Sequence, residues 1–276
     1  MHTIMSQNIF INPLHQVRFL QDGYVVLDLL SEQDIHELQR AFTEVEQRHQ
    51  FDFVASVLIP DAELRRSIHW SVAPVFERSL LPMLDRYKVV LGNFAAKRAS
   101  SALGKMPLHQ DNTFVEEGER TGITLWCPLV DVGEHNGWLG VVPGSQHLDN
   151  PYRDPCPLPY PQYVDVIESD YLQYLPMHAG QALFMDNRLI HGSTPNLSGT
   201  MRPVAAGVAI PAESPLLCCY AEEAADAGTV HVYQVPDDFY LRHAMRTEPK
   251  EGQLYKTVPR SIEALTTEKM ESIFHA

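Results

Sequence analysis

The sequence predicts a mainly β chain with helices on its outside, in the form of a sandwich or barrel. Two observations carry this. Short apolar stretches recur between Gly- and Pro-rich turns, at Thr121–Val132, Trp138–Val142, Gly180–Asp186, Met201–Ile210, Leu216–Tyr220 and Thr229–Val235. Apolar residues at helical spacing are concentrated in the first third of the chain and at its end.

Taken in order, Asn12 caps a short helix that has Pro13 in its first turn, and Gly23 ends it. Tyr24–Leu27 is a strand. Ser31 and Asp34 form a capping box for a helix whose apolar face is Ile35, Leu38, Phe42 and Val45. Gln47–Val72 reads as polar stretches with a short helix through Leu64 and Ile68, and Val72–Arg86 as a helix split by Pro82. Tyr87–Ala96 is a strand leading to Lys97 and Arg98. Between Asn150 and Tyr163, Pro151, Pro155, Pro157, Pro159 and Pro161 exclude an interior strand, so this is a long surface loop and a candidate lid. A short helix is expected at Asp237–Met245, a polar loop at Thr247–Pro259 and a closing helix at Ser261–Phe274. No boundary divides the chain, so residues 1–276 are expected to form a single domain. Its parts are an amino-terminal helical buttress (about 12–86), a β core (about 87–235) and a carboxy-terminal extension (236–276).

Composition narrows the function. The formal net charge of −14 argues against a partner that is a nucleic acid or an anionic membrane. No apolar run is long enough to span a bilayer, and the opening Met1–Asn8 lacks a basic leader region, so a cytoplasmic protein is expected. Cys127, Cys156, Cys218 and Cys219 lack the spacing of a zinc site or a disulfide framework and are read as reduced thiols.

The chemistry is concentrated between Pro107 and Arg202. His109 and Asp111 are two residues apart, so an extended backbone directs both to one side. With His191 from a distant strand they make two imidazoles and one carboxylate, the facial triad of non-haem Fe(II) oxygenases. Arg202 follows His191 by eleven residues across a turn-rich stretch and opens a buried strand, where its guanidinium could grip a carboxylate. His135, His147 and His178 are the rival imidazoles, read as turn or solvated residues.

The order His-x-Asp, His, Arg resembles the Fe(II)/2-oxoglutarate-dependent oxygenases, and among them the phytanoyl-CoA dioxygenase (PhyH-like) family. Phe19–Leu27 is similar to that family's entry strand, Asn136–His147 to its hairpin with the Pro143-Gly144-Ser145 turn, and His191-Gly192-Ser193 with Asn196 to its distal-histidine turn. The resemblance spans roughly Val17–Pro211 and implies a double-stranded β-helix (a cupin-like jelly roll). It implies Fe(II) held by His109, Asp111 and His191, with 2-oxoglutarate as cosubstrate and O2 as oxidant. It further implies that Arg202 holds the far carboxylate of 2-oxoglutarate, that Ser193 assists, and that Trp126 lies near the cosubstrate. Lys97 and Arg98 stand where the family sometimes places a further basic residue; the sequence does not choose between them, and the reading that both are solvated stays open. The activity implied is hydroxylation or desaturation of an unactivated C–H bond in a small metabolite, with release of succinate and CO2. Asp111 stands where halogenases of this superfamily carry a small residue, which favours oxygenation. Two other readings stay open: a non-enzymatic metal- or ligand-binding jelly roll, and a zinc hydrolase, although no HExxH motif is present.

Overall fold

The structure is a computed structural model that describes residues 8–48, 53–100, 104–154, 158–221, 228–245 and 247–274. Helix α1 (Pro13–Asp22) is capped by Asn12, whose side chain accepts the Leu14 N–H at 2.9 Å. It ends at Gly23, which takes φ +80°, where a side chain would be strained and would collide with Gln146 and Leu189. Strand β1 (Tyr24–Asp28) follows, then α2 (Glu32–Arg48). The expected capping box is present. The Asp34 carboxylate accepts from the Ser31 N–H (3.0 Å), and the Ser31 hydroxyl oxygen accepts from the Asp34 N–H (3.2 Å). Leu38 and Phe42 are buried, with Ile35 and Val45 packed at the margin, as the periodicity predicts.

After β2 (Phe53–Ala55) comes a correction. The stretch read as a short helix followed by a second, split one is a single helix, α3 (Ala62–Ser79), which continues through Pro74. Pro82 instead lies in a separate 3-10 turn, Leu81–Met83. An interior proline costs a helix about 3 kcal/mol. Here Asp61 caps the amino terminus, and Leu64, Ile68, Val72, Val75 and Phe76 bury a continuous face, which outweighs that cost. The face was illegible because polar Arg65 and His69 interrupt it. Both are buried: Arg65 donates to the Ile59 carbonyl, and His69 Nδ1 accepts the Gly92 N–H at 3.0 Å. Burial pushes the His69 imidazole down to about 4.

The β core runs β3 (Tyr87–Lys97), β4 (Met106–His109), β5 (Ile123–Pro128), β6 (Leu139–Val141), β7 (Gln173–Leu175), β8 (Gln181–Asp186), β9 (His191–Ser193) and β10 (Arg202–Pro211). A six-stranded sheet has the order β1-β8-β5-β10-β3-β2, and a four-stranded sheet the order β4-β9-β6-β7; all pairs are antiparallel. The sheets face each other across Trp126, Leu139, Val141, Leu183, Met185, Val204 and Ala206. The outer face of the larger sheet, with Phe94, Leu125, Cys127, Phe184, Ala205 and Ala209, packs against the helices. This is the jelly-roll arrangement without a closed barrel. β10 is buried on both faces, which is why it reads as an unbroken apolar run. At Gly207 a Cβ would lie 2.5 Å from the Leu91 carbonyl oxygen and 3.0 Å from the Phe76 ring, so glycine lets α3 seat against the sheet.

Beyond the core, β11 (Leu216–Tyr220), β12 (Thr229–Val235) and β13 (Gln253–Pro259) form a third sheet. The expected polar loop at Thr247–Pro259 is corrected in part by β13. This is an edge strand whose seven residues are all exposed or half-buried, so no apolar alternation marks it. The short helix expected near Asp237 is Phe239–Arg242. The closing helix shrinks to Thr267–Ile273, capped by Thr266, because Glu263 is already committed to Asn150, Asp149 and Lys269. Cys127, Cys218 and Cys219 are buried free thiols; Cys156 lies outside the described residues.

The proline-rich segment also departs from expectation. Leu158 and Tyr160 are buried against Leu265, Met270 and Phe274, and the Tyr160 hydroxyl donates to the Glu263 carbonyl at 2.9 Å. Its described residues form a packed strap rather than an open lid, and none of them lines the cavity that holds the triad.

Candidate metal centre

His109 and His191 are opposed residues in the β4–β9 pair, so their rings arrive from neighbouring strands with centroids 4.1 Å apart. Each Nδ1 lies against a backbone carbonyl, Pro107 at 2.9 Å and Leu189 at 3.0 Å. With Nδ1 carrying the proton, each Nε2 is left as a bare donor turned inward. Both Nε2 atoms approach the same oxygen, Asp111 Oδ1, at 3.9 and 3.8 Å. The three ligand atoms all lie within 4.8 Å of one another, and this is the only such set of His, Cys, Asp and Glu among the described residues. His178 is exposed against Asp131, and His147 lies beside Gln146. Two imidazoles and a carboxylate with converging lone pairs fit a divalent transition metal.

Asp111 lies just past the end of β4 and is held at several points. Its N–H donates to the Asn187 carbonyl (2.9 Å), its carbonyl accepts from Arg153 Nε (2.8 Å), and its Oδ2 accepts from the Thr124 hydroxyl. Burial alone would raise its carboxyl, but positive charge on His191 and His109, when those rings are protonated in the absence of a metal, and the Thr124 bond hold it below the usual range. Arg153 is fixed in turn by a largely buried ion pair to Glu117.

The triad opens into a cavity of about 210 Å³ between the two sheets. Alternation on β3 puts Leu91, Asn93, Ala95 and Lys97 on the cavity wall. The register of β5 with β10 sets Thr124 opposite Val208 and Trp126 opposite Ala206, so Arg202 lies further along, beyond Trp126. Arg202 opposes Lys97 in the β10–β3 pair. Both are buried, at 2% and 1% exposure. Arg202 Nη2 donates to the Gly137 carbonyl at 2.8 Å, its guanidinium carbon sits 5.5 Å from the Trp126 ring centre, and its Nε is buried without a partner. Lys97 Nζ donates to the Ser193 hydroxyl at 2.7 Å and to the Ser193 and Thr194 carbonyls. Burial, together with the neighbouring Arg202 charge, pushes Lys97 down to about 6; burial pushes Arg202 to about 10.

Every residue singled out from the sequence, His109, Asp111, His191, Arg202, Ser193 and Trp126, lines this one cavity. Lys97 joins them and Arg98 does not. Sequence reasoning missed Thr124 and Asn187. The signal for Thr124 was its position two residues before Trp126 on the same strand, which shares its inward face.

The model of the phytanoyl-CoA dioxygenase (PhyH) family matches residues 19–204, about two-thirds of the chain, and the chain belongs to that family. No curated protein matches its sequence. Among solved structures, it is similar to the non-haem alpha-ketoglutarate-dependent carbocyclase SnoK from nogalamycin biosynthesis, at 19% identity and TM-score 0.54, covering 75% of this chain and 86% of that one. EctD from S. alaskensis, solved with 2-oxoglutarate and 5-hydroxyectoine, aligns at 20% identity and TM-score 0.54, covering 78% and 81%. HygX from Streptomyces hygroscopicus, solved with nickel and 2-oxoglutarate, aligns at 13% identity and TM-score 0.53, covering 74% and 88%. These likenesses support the fold. The family match assigns the chain to the iron- and 2-oxoglutarate-dependent oxygenases. No helix among the described residues is long and apolar enough to cross a membrane.

Proposed function

We propose that the chain hydroxylates or desaturates a C–H bond of a small-molecule metabolite in the cytoplasm. His109, Asp111 and His191 hold Fe(II), while Arg202, Lys97, Ser193 and Trp126 receive 2-oxoglutarate. One observation carries this reading: an open-faced ligand triad and a buried cation pair share a single cavity. Bound Fe(II) with 2-oxoglutarate supplies the means to turn O2 on a C–H bond, releasing succinate and CO2.

The chain's residues provide the setting. The imidazoles offer Nε2 because their Nδ1 protons are engaged by backbone carbonyls. Arg202 has a buried Nε with no partner, and burying such a donor costs about 1–3 kcal/mol unless a ligand satisfies it. A carboxylate does so, and its charge relieves the repulsion between Arg202 and Lys97. Trp126 flanks the guanidinium, and the apolar wall of Leu91, Phe114, Leu139 and Val208 keeps the cavity poor in water.

The hydrolase reading is disfavoured by the lining itself. Asp111 is the only carboxylate among the described residues of the cavity wall, and as a ligand it is not free to act as a general base. The test is anaerobic loading with Fe(II) followed by 2-oxoglutarate. We expect one iron per chain, a charge-transfer band when 2-oxoglutarate is added, and succinate once O2 is admitted. Iron binding without any response to 2-oxoglutarate would favour a metal-binding protein that is not an oxygenase.

A further inference from the structure

We propose that Asn187 and Thr124 form a hydrogen-bond relay that fixes Asp111 as a single-oxygen metal ligand. This rests on the Fe(II) reading above and deepens it. Both imidazole Nε2 atoms face Asp111 Oδ1, whereas Oδ2 is turned away and takes the Thr124 hydroxyl. Asn187 Nδ2 lies 2.7 Å from the Thr124 oxygen. A carboxylate can only accept, so the Thr124 proton must point to Asp111, and the Thr124 oxygen must accept from Asn187. That order also fixes which way the Asn187 amide faces. The reverse orientation would set two acceptors against one hydroxyl proton.

Asn187 is built for this place. It is 1% exposed, its N–H donates to the Gly122 carbonyl (3.1 Å), and its own carbonyl accepts the Asp111 N–H. Its Oδ1 is buried without a partner and sits over Gly122, where a Cβ would come within 2.2 Å of it. The same residue thus holds the backbone of Asp111 directly and its side chain through Thr124. With Oδ2 engaged, Asp111 would have Oδ1 alone to offer to a metal held with His109 and His191. Thr124 and Asn187 are positioning residues; neither touches the reacting atoms.

The experiment compares Thr124→Val, which keeps the shape and loses the hydroxyl, with Thr124→Ser, which keeps the hydroxyl and loses the methyl. Fe(II) is titrated anaerobically into the metal-free protein by calorimetry, with melting temperature measured alongside. We expect Thr124→Val to weaken Fe(II) binding roughly 10- to 100-fold, the range typical of lost partners behind a metal ligand. Thr124→Ser should stay within about threefold of the starting protein on the same scale. Equal affinity in Thr124→Val and the starting protein overturns the relay while leaving the iron site intact. An equal loss in both variants overturns it too, because it reduces Thr124 to packing. Should Thr124→Val fail to fold, Gly122→Ala provides the second route, since it displaces the Asn187 amide and leaves Thr124 and Asp111 unaltered. Unchanged Fe(II) affinity in that variant overturns the Asn187 half. If the starting protein itself binds no Fe(II), the iron reading falls first and the relay with it.

Discussion

At one end of the cavity the side chains carry converging lone pairs, and at the other a buried guanidinium faces a buried lysine amine. His109 and Asp111 are partly exposed and His191 is buried, and their second polar atoms are satisfied by Pro107, Leu189 and Thr124. Lys97 and Arg202 are sealed from solvent, adjacent across a strand pair, and both depressed by burial. The first end brings three ligand atoms within 4.8 Å of one another. The second carries an electrostatic cost that an anion removes. The contrast teaches that the two ends are built differently: on the proposed reading one suits a cation and the other a carboxylate, with the aromatic face of Trp126 beside Arg202.

The comparison breaks most completely at His191. His191→Ala should abolish stoichiometric iron binding, as read by metal analysis after anaerobic loading, and retained iron would remove the triad assignment. Next comes Arg202→Ala. Losing a charge-assisted pair worth about 3 kcal/mol should raise the KM for 2-oxoglutarate on the order of 100-fold with iron retained. An unaltered KM would move the anchor elsewhere.

Lys97→Met sharpens the contrast through pH. Lys97 titrates near 6 in the free protein, and burial beside Arg202 is the cause. A bound carboxylate favours the ammonium, so above about pH 6 binding takes up a proton and affinity for 2-oxoglutarate falls as pH rises. Lys97→Met should weaken 2-oxoglutarate by roughly tenfold at pH 6 and flatten this slope. A slope that survives the substitution assigns the titration to another group. The smallest effect is expected at Ser193. Ser193→Ala removes one neutral acceptor for Lys97 and should raise the KM about threefold, with kcat little changed.

The clustering of His109, Asp111 and His191 was legible in the sequence because its signal is local and ordered: His109 and Asp111 share one extended segment, and the turn after His191 sets the phase of Arg202. The choice between Lys97 and Arg98 was not, since it depends on which face of β3 turns inward, and only the pairing with β10 decides that. Thr124 and Asn187 carry no motif, because a polar side chain satisfied by other side chains looks in sequence like any strand or turn residue. The fold shows the same division. α2 announced itself by capping and periodicity, whereas α3 hid behind a buried arginine, a buried histidine and an interior proline. β13 was invisible because backbone pairing alone defines it.

Arg153 has a consequence for how the molecule opens. Its guanidinium bonds at once to the Asp111 carbonyl, the Asn150 carbonyl and both oxygens of Glu117, and its N–H donates to the Thr113 hydroxyl. The start of the proline-rich strap and the segment from Asp111 to Glu117 therefore share one clasp. Neither can unfasten without stranding a buried charge, so the two should open together as one cooperative unit in native-state hydrogen exchange. Occupancy of the triad would then be felt as slower fluctuation in a strap none of whose described residues lines the cavity.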